Sequence, residues 1–313
     1  MITNSMESEM AKFIHKCAAW KTRRDFGHGD KIRDKGQTTP SDVIRFDDIV
    51  YGPDQKFKKW QMLDVYRPAA KPKTQKIPVI VSVHGGAWVY GNKDIYQWYT
   101  LKLAQRGFAV VNFSYRLAPE VKFPAAIEDT ENVFQWICNN ADEYGFDLNN
   151  VFAVGDSAGG HLLTLYASAI TNPEYKKNYP FIKDKPLVLR GLALNCGKYD
   201  MDPALEENPL MSMLLEAMIP GKVDKETMLM LNASAHVTKD FPPAFVMTCK
   251  GDFLFSQAPL ITKALEDAGV KYEYHCYGDD QMPLWHVFHC DPRLSQATVC
   301  NDEECNFFKS LIV

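Results

Sequence analysis

The 313-residue chain is 46% hydrophobic and 24% charged, an ordinary globular composition that excludes disordered and fibrous structure. Its formal net charge of −4, from 35 Lys and Arg against 39 Asp and Glu, provides no single-signed field to hold nucleic acid or an anionic membrane. No run of about 18 apolar residues occurs, so no transmembrane helix is expected. Eight cysteines without a Cys-x-x-Cys pair, behind an acidic Met1–Met10 start that lacks a signal-peptide pattern, read as reduced thiols of a cytoplasmic protein.

In chain order, the first 42 or so residues carry one amphipathic stretch (Met10, Phe13, Ile14, Cys17, Trp20) and then a charged run through Lys35. Val43–Tyr51 and Lys58–Tyr66 alternate apolar and polar residues, the pattern of an antiparallel entry to a sheet. Lys71–Pro78 reads as an exposed loop. From Val79 onward short β-branched runs alternate with helical segments, which predicts parallel strands joined by crossover helices. Val79–Val83, Ala109–Phe113, Val151–Val154, Leu187–Asn195 and Ala244–Thr248 are nearly all apolar, as strands covered on both faces must be. Lys271–Tyr277 is more mixed and reads as a strand nearer the edge. That makes about eight strands in one sheet.

Helices are expected over Ile95–Gln105, Ala125–Asn139, Ala158–Ile170, Ala258–Ala268 and Asp302–Leu311, two of them closing on Gly107 and Gly269. Tyr199–His236 is too long for a plain connection, is weakly helical and holds six of the twelve methionines (201, 211, 213, 218, 228 and 230). Such adaptable side chains fill an irregular core or form a flexible apolar lid.

Gly155-Asp156-Ser157-Ala158-Gly159 matches G-x-S-x-G directly after one expected strand and directly before an expected helix. The small residues let the chain turn sharply enough to lift the Ser157 hydroxyl clear of the sheet. A serine hydroxyl is a weak nucleophile and needs a base that is itself oriented by a carboxylate. In this architecture the partners follow in the order Ser, acid, His. Asp252 lies 95 residues after Ser157, just past the strand Ala244–Thr248, and His286 a further 34 residues on. His289, Asp279 and Asp280 share that last loop and compete. His161 sits at the helix start and reads as structural, and His275 falls inside a strand. No His-x-x-x-His or Cys/His spacing suits a metal, so no metal is expected.

A tetrahedral intermediate needs donors aimed at its oxyanion. His84-Gly85-Gly86-Ala87-Trp88 follows the strand Val79–Val83, and we assign the hole to the N–H groups of Gly85, Gly86 and Ala158. Asp156, Trp88 and Tyr90 are expected to line the acyl or alcohol side.

At this point the chain, from about Pro78 to its end, resembles the hormone-sensitive-lipase-like branch of the α/β-hydrolase esterases. Further shared blocks are Tyr115-Arg116-Leu117-Ala118-Pro119-Glu120, Phe123-Pro124-Ala125-Ala126 with Glu128-Asp129, Pro242-Pro243-Ala244, and His286-Val287-Phe288, where the family commonly has His-Gly-Phe. That last block favours His286 over His289. Arg116 and Glu120 read as a structural ion pair.

The resemblance implies an α/β-hydrolase fold: a mostly parallel eight-stranded sheet with flanking helices and a helical cap. Residues 42–198 and 237–313 then form the core, and 1–41 and 199–236 the cap. It implies a serine carboxylesterase that hydrolyses small to medium-chain esters through an acyl-serine, without a cofactor. Amide hydrolysis on the same triad stays open. A non-catalytic ligand-binding receptor is the alternative from another class, although such receptors generally lose the histidine. The family often dimerises, and the strand Lys271–Tyr277 offers an edge for a homodimer. The chain departs from the family at Ala87 and Val287, where glycine is common, and at Ser256, where a second Asp is common.

Overall fold

The computed structural model describes residues 2–184, 187–201, 208–221 and 223–313, with side chains from residue 9 onward. One eight-stranded sheet organises it, in the order β1-β2-β4-β3-β5-β6-β7-β8. The strands are β1 (Val43–Val50), β2 (Met62–Pro68), β3 (Ile77–Val83), β4 (Ala109–Phe113), β5 (Phe146–Asp156), β6 (Leu189–Asn195), β7 (Ala244–Cys249) and β8 (Tyr272–Tyr277). β1 and β2 run antiparallel to their neighbours and the other pairs are parallel. The second strand starts at Met62 rather than Lys58, because Asp54 accepts a hydrogen bond from the Lys56 N–H and opens a short 3-10 turn over Gln55–Trp60.

Side chains alternate between the two faces as strand geometry requires. Val79, Val81, Ala153, Leu192, Leu194 and Val246 enter one core, while Ile80, Phe152, Val154, Ala193 and Phe245 enter the other. Helices α3 (Ala125–Asn139), α5 (Ala158–Thr171) and α9 (Ala258–Asp267) cover the first face; α2 (Lys93–Gln105) and α10 (Ser295–Ser310) cover the second. Gly107 and Gly269, the expected helix stops, have φ of +103° and +70°. The last helix begins seven residues earlier than Asp302. Its buried stripe (Ala297, Cys300, Asn301, Glu304, Phe307, Phe308) includes an amide and a carboxylate, which hide the apolar period.

The amino-terminal segment is one helix, α1 (Ile2–Arg33). Its apolar stretch faces outward, with Met10, Phe13 and Trp20 61%, 65% and 62% exposed, while the small side chains of Ala18, Ala19 and Thr22 are buried. Arg23 fastens the helix to the body. Its guanidinium donates to Val89 O (2.8 Å), Ala118 O (3.0 Å) and both carboxylate oxygens of Glu120 (2.7 Å each). The expected Arg116–Glu120 pair is therefore not formed. Arg116 turns instead to Glu128 (2.6 Å) and the buried Asp129 (2.9 Å).

Within the long insertion, α7 (Pro209–Met218) packs on α1 and is followed by α8 (Lys225–Leu231). Met201 and Met218 are buried, Met211, Met228 and Met230 pack against the core, and Met213 is exposed. Met1 and residues 202–207 and 222 of the expected cap lie outside the described residues. Among the described residues, no helix is long and apolar enough to cross a membrane. The eight cysteines carry free thiols.

Candidate active site

The carboxyl ends of the parallel strands meet at a cavity of about 490 Å³. Ser157 lines it, on the turn between β5 and α5, with φ +54° and ψ −120°. That is a strained conformation for a residue with a side chain. Its N–H donates to Asn195 O (3.0 Å) on the neighbouring strand. The turn tolerates no bulk at Gly159, where a Cβ would lie 2.0 Å from Val83 O.

Asp252 follows β7 and His286 lies beyond β8. The Gly251 N–H donates to Leu284 O (2.9 Å), so the acid loop and the histidine loop are pinned together, one residue before Asp252 and two before His286. The His286 Nδ1–H donates to Asp252 Oδ1 (2.7 Å), which leaves Nε2 with a lone pair. Burial alone would raise the Asp252 carboxyl, but the hydrogen bond and charge of His286 outweigh it and hold the group below its usual value. The Leu254 N–H also donates to this carboxylate (2.8 Å). The carboxylate is fully buried, whereas the imidazole is 18% exposed and lines the cavity.

His289 does not line the cavity. It is fully buried, packs edge-on against Tyr99, and burial pushes it down to about 3. His161 is structural: it accepts from the Trp88 indole N–H (3.1 Å) and donates to Leu231 O (2.8 Å).

The loop after β3 departs from expectation at one donor. The Gly85 N–H donates to the Tyr96 hydroxyl (2.9 Å), which in turn donates to Asp156 Oδ2 (2.5 Å). One N–H cannot serve both the tyrosine and an oxyanion, so Gly85 leaves the expected donor set. The Gly86 and Ala87 N–H groups donate to nothing else among the described residues. Ala158, as the first residue of α5, has no partner within the helix for its N–H. Gly86, Ala87 and Ala158 all line the cavity.

Ala87 (φ +51°) and Val287 (φ +53°) both hold the left-handed conformation. These are the two positions where the resemblance expects glycine, so the backbone keeps the glycine shape while carrying a side chain.

Trp88, Tyr90 and Asp156 line the cavity, as expected of them. Asp156 is fully buried, and burial lifts its carboxyl to about 7 against the opposing Tyr96 hydrogen bond and His286 charge. Tyr90 donates to Asp30 (2.7 Å) of α1. Lining residues not foreseen include Phe26, Ile32 and Arg33 of α1, Met211 of α7, and Tyr96. Phe253 and Trp285 were readable in principle, since each adjoins a triad candidate in the chain. The α1 residues carry no local signal, because docking of the helix alone brings them to the site. The charges on this wall are mutually paired: Arg33 bridges Asp30 (2.9 Å) and Asp34 (2.7 Å), and Arg293 holds Asp291 (2.6 Å).

The BD-FAE family model matches residues 63–262. Esterase LipC of Mycobacterium tuberculosis is 31% identical over 205 residues, which are 64% of this chain and 49% of that protein. The chain thus spans about half the length of the first curated relatives it matches. Among solved structures, esterase B from Lactobacillus Rhamnosis (HN001) is similar with a TM-score of 0.85 at 25% identity, over 95% of this chain and 96% of that one. The same esterase inhibited by a C4-C4 SN3 tributyrin phosphonate gives 0.83 at 27% identity, with the same coverage. A Ser-bearing turn at the carboxyl edge of a parallel sheet, the shared motifs and these likenesses agree: the chain belongs to the BD-FAE family and to the hormone-sensitive-lipase-like group of the α/β-hydrolase fold.

Proposed function

We propose that this protein is a serine carboxylesterase acting on small to medium-chain esters. The observation that carries the reading is the 2.7 Å His286–Asp252 hydrogen bond on the same cavity as Ser157, which sits on its strained strand-to-helix turn. In the proposed mechanism His286 Nε2 takes the Ser157 proton as Oγ attacks the ester carbonyl. The Gly86, Ala87 and Ala158 N–H groups receive the oxyanion, and Asp252 stabilises the imidazolium. Collapse expels the alcohol, protonated by His286, and water then releases the acid from the acyl-serine by the same proton path.

Phe26, Trp88, Met211, Phe253 and Trp285 give the cavity apolar walls, in keeping with an uncharged acyl chain. The LipC and esterase B likenesses support ester chemistry, and the tributyrin phosphonate that inhibits esterase B points to short acyl groups. In this reading α1 and the α7 segment form the cap that selects the ester.

The test compares p-nitrophenyl acetate and butyrate hydrolysis by wild type and Ser157→Ala, alongside labelling by a fluorophosphonate probe. The variant is expected to lose at least about 1,000-fold in kcat and all labelling. A variant that keeps most of the activity overturns the mechanism.

A further inference from the structure

Three neighbouring parallel strands deliver three metal-binding side chains to one point. Cys196 directly follows β6, Asp252 follows β7 and His286 lies beyond β8. One ligand atom from each lies within 4.8 Å of the other two. Cys196 is buried, and its backbone is held at φ +49°, a left-handed conformation that a cysteine adopts only under constraint. Its N–H donates to Met247 O (2.7 Å) on β7, which anchors the residue beside the acid loop.

We propose that Cys196, Asp252 and His286 form an inhibitory site for a thiophilic divalent cation of the Zn²⁺ or Cd²⁺ class. The inference rests on His286 being the catalytic base. A thiolate, a carboxylate and an imidazole suit such ions, and not Mg²⁺ or Ca²⁺, which prefer oxygen alone. Ion-to-ligand distances of about 2.0–2.3 Å set tetrahedral donor atoms about 3.3–3.7 Å apart, so the ion enters by opening the 2.7 Å His286–Asp252 pair, with small side-chain movements.

Charge balances on binding. The thiol proton leaves to solvent, and one thiolate and one carboxylate neutralise the dication. The partly exposed imidazole gives the ion a route from the cavity, and a water on that side completes four ligands.

Inhibition follows from the tautomer. At rest the imidazole proton is on Nδ1, donated to Asp252, and Nε2 is free to accept a proton from Ser157. An ion on Nδ1 displaces that proton and places it on Nε2, where it blocks general-base action. A second trio, Asp156, His289 and Cys290, has the same spacing. It is fully buried, and the nearby Arg33 guanidinium opposes a cation there.

The experiment uses the full chain in a Cys17→Ser, Cys276→Ser background, which removes the two exposed thiols. CdCl₂ and ZnCl₂ are titrated while p-nitrophenyl butyrate hydrolysis and the ultraviolet thiolate-to-Cd²⁺ charge-transfer band are followed. The expected result is inhibition reversed by EDTA, with a band that saturates at one ion per chain. Cys196→Ser, and separately Cys196→Ala, should abolish the band and raise the half-inhibiting concentration about 10- to 100-fold, each normalised to its own uninhibited rate. Absence of the band in the parent, or equal inhibition of both variants, overturns the proposal. If no form hydrolyses the ester, the esterase reading has failed, and the band alone then decides whether the site exists.

Discussion

Replacing Tyr96 by phenylalanine removes one oxygen atom that ties the loop after β3 to the turn bearing Ser157. That oxygen accepts from the Gly85 N–H at 2.9 Å and donates to Asp156 Oδ2 at 2.5 Å, and the residue is buried. A neutral hydrogen bond contributes about 1 kcal/mol net and one to a charged group about 1.5–3, so stability should fall by about 2.5–4 kcal/mol. Asp156 keeps its burial and loses the interaction that favours its charged form, so its carboxyl should rise above the present value of about 7.

Catalysis should suffer through position. Gly85 immediately precedes the Gly86 and Ala87 donors, and a misplacement of about 1 Å costs about 100-fold in rate. The variant should therefore lose about 10- to 100-fold in kcat, with KM for p-nitrophenyl butyrate changed less than about threefold. Urea denaturation and steady-state kinetics on the same preparation test both parts. A Tyr96→Phe protein with the wild-type urea midpoint and kcat would refute the argument that this bridge aligns the donors.

Arg23→Ala should loosen α1 by about 1.5–3 kcal/mol, since it deletes two bonds to backbone carbonyls and a two-point contact with the half-exposed Glu120. The expected outcome is faster limited proteolysis within α1 and a several-fold higher KM at little-changed kcat; unchanged proteolysis would show that the helix is held elsewhere. Glu304 is fully buried, and burial lifts it from 4.5 to about 7 against hydrogen bonds from Asn195 and Tyr99. A carboxyl raised on folding contributes stability that is present at low pH and is lost as pH climbs from about 4.5 to about 7. Glu304→Gln should therefore gain stability relative to wild type between pH 5 and pH 8, by up to about 3 kcal/mol, read from urea midpoints at the two pH values. A pH-independent difference would sink that assignment.

Legibility in the sequence followed the physics of each element. β3 to β7 are readable because strands buried on both faces are written as short, nearly all-apolar runs. The Ser157 turn was readable because its geometry demands glycine at fixed positions. The start of α10 is hidden in the sequence because Asn301 and Glu304, polar residues, are buried against His289 O, Tyr99 and Asn195. The partner of Arg116 is not legible in the sequence because its close neighbour Glu120 is drawn away by Arg23, 97 residues from Glu120 in the chain. The same holds for Gly85: its N–H was available in the sequence and is taken by Tyr96 only once α2 packs beside the loop.

By itself the sequence determined the order of strands and crossovers along the chain, the sharp turn at Ser157, and the succession of Ser157, Asp252 and His286. These depend on local spacing and on side-chain period, which a linear reading contains. Only the tertiary structure decided which N–H groups remain free at the cavity, that α1 supplies one of its walls, and that Cys196 lies beside Asp252 and His286. Those facts arise where the ends of separate strands and helices converge, and distance along the chain carries no information about them.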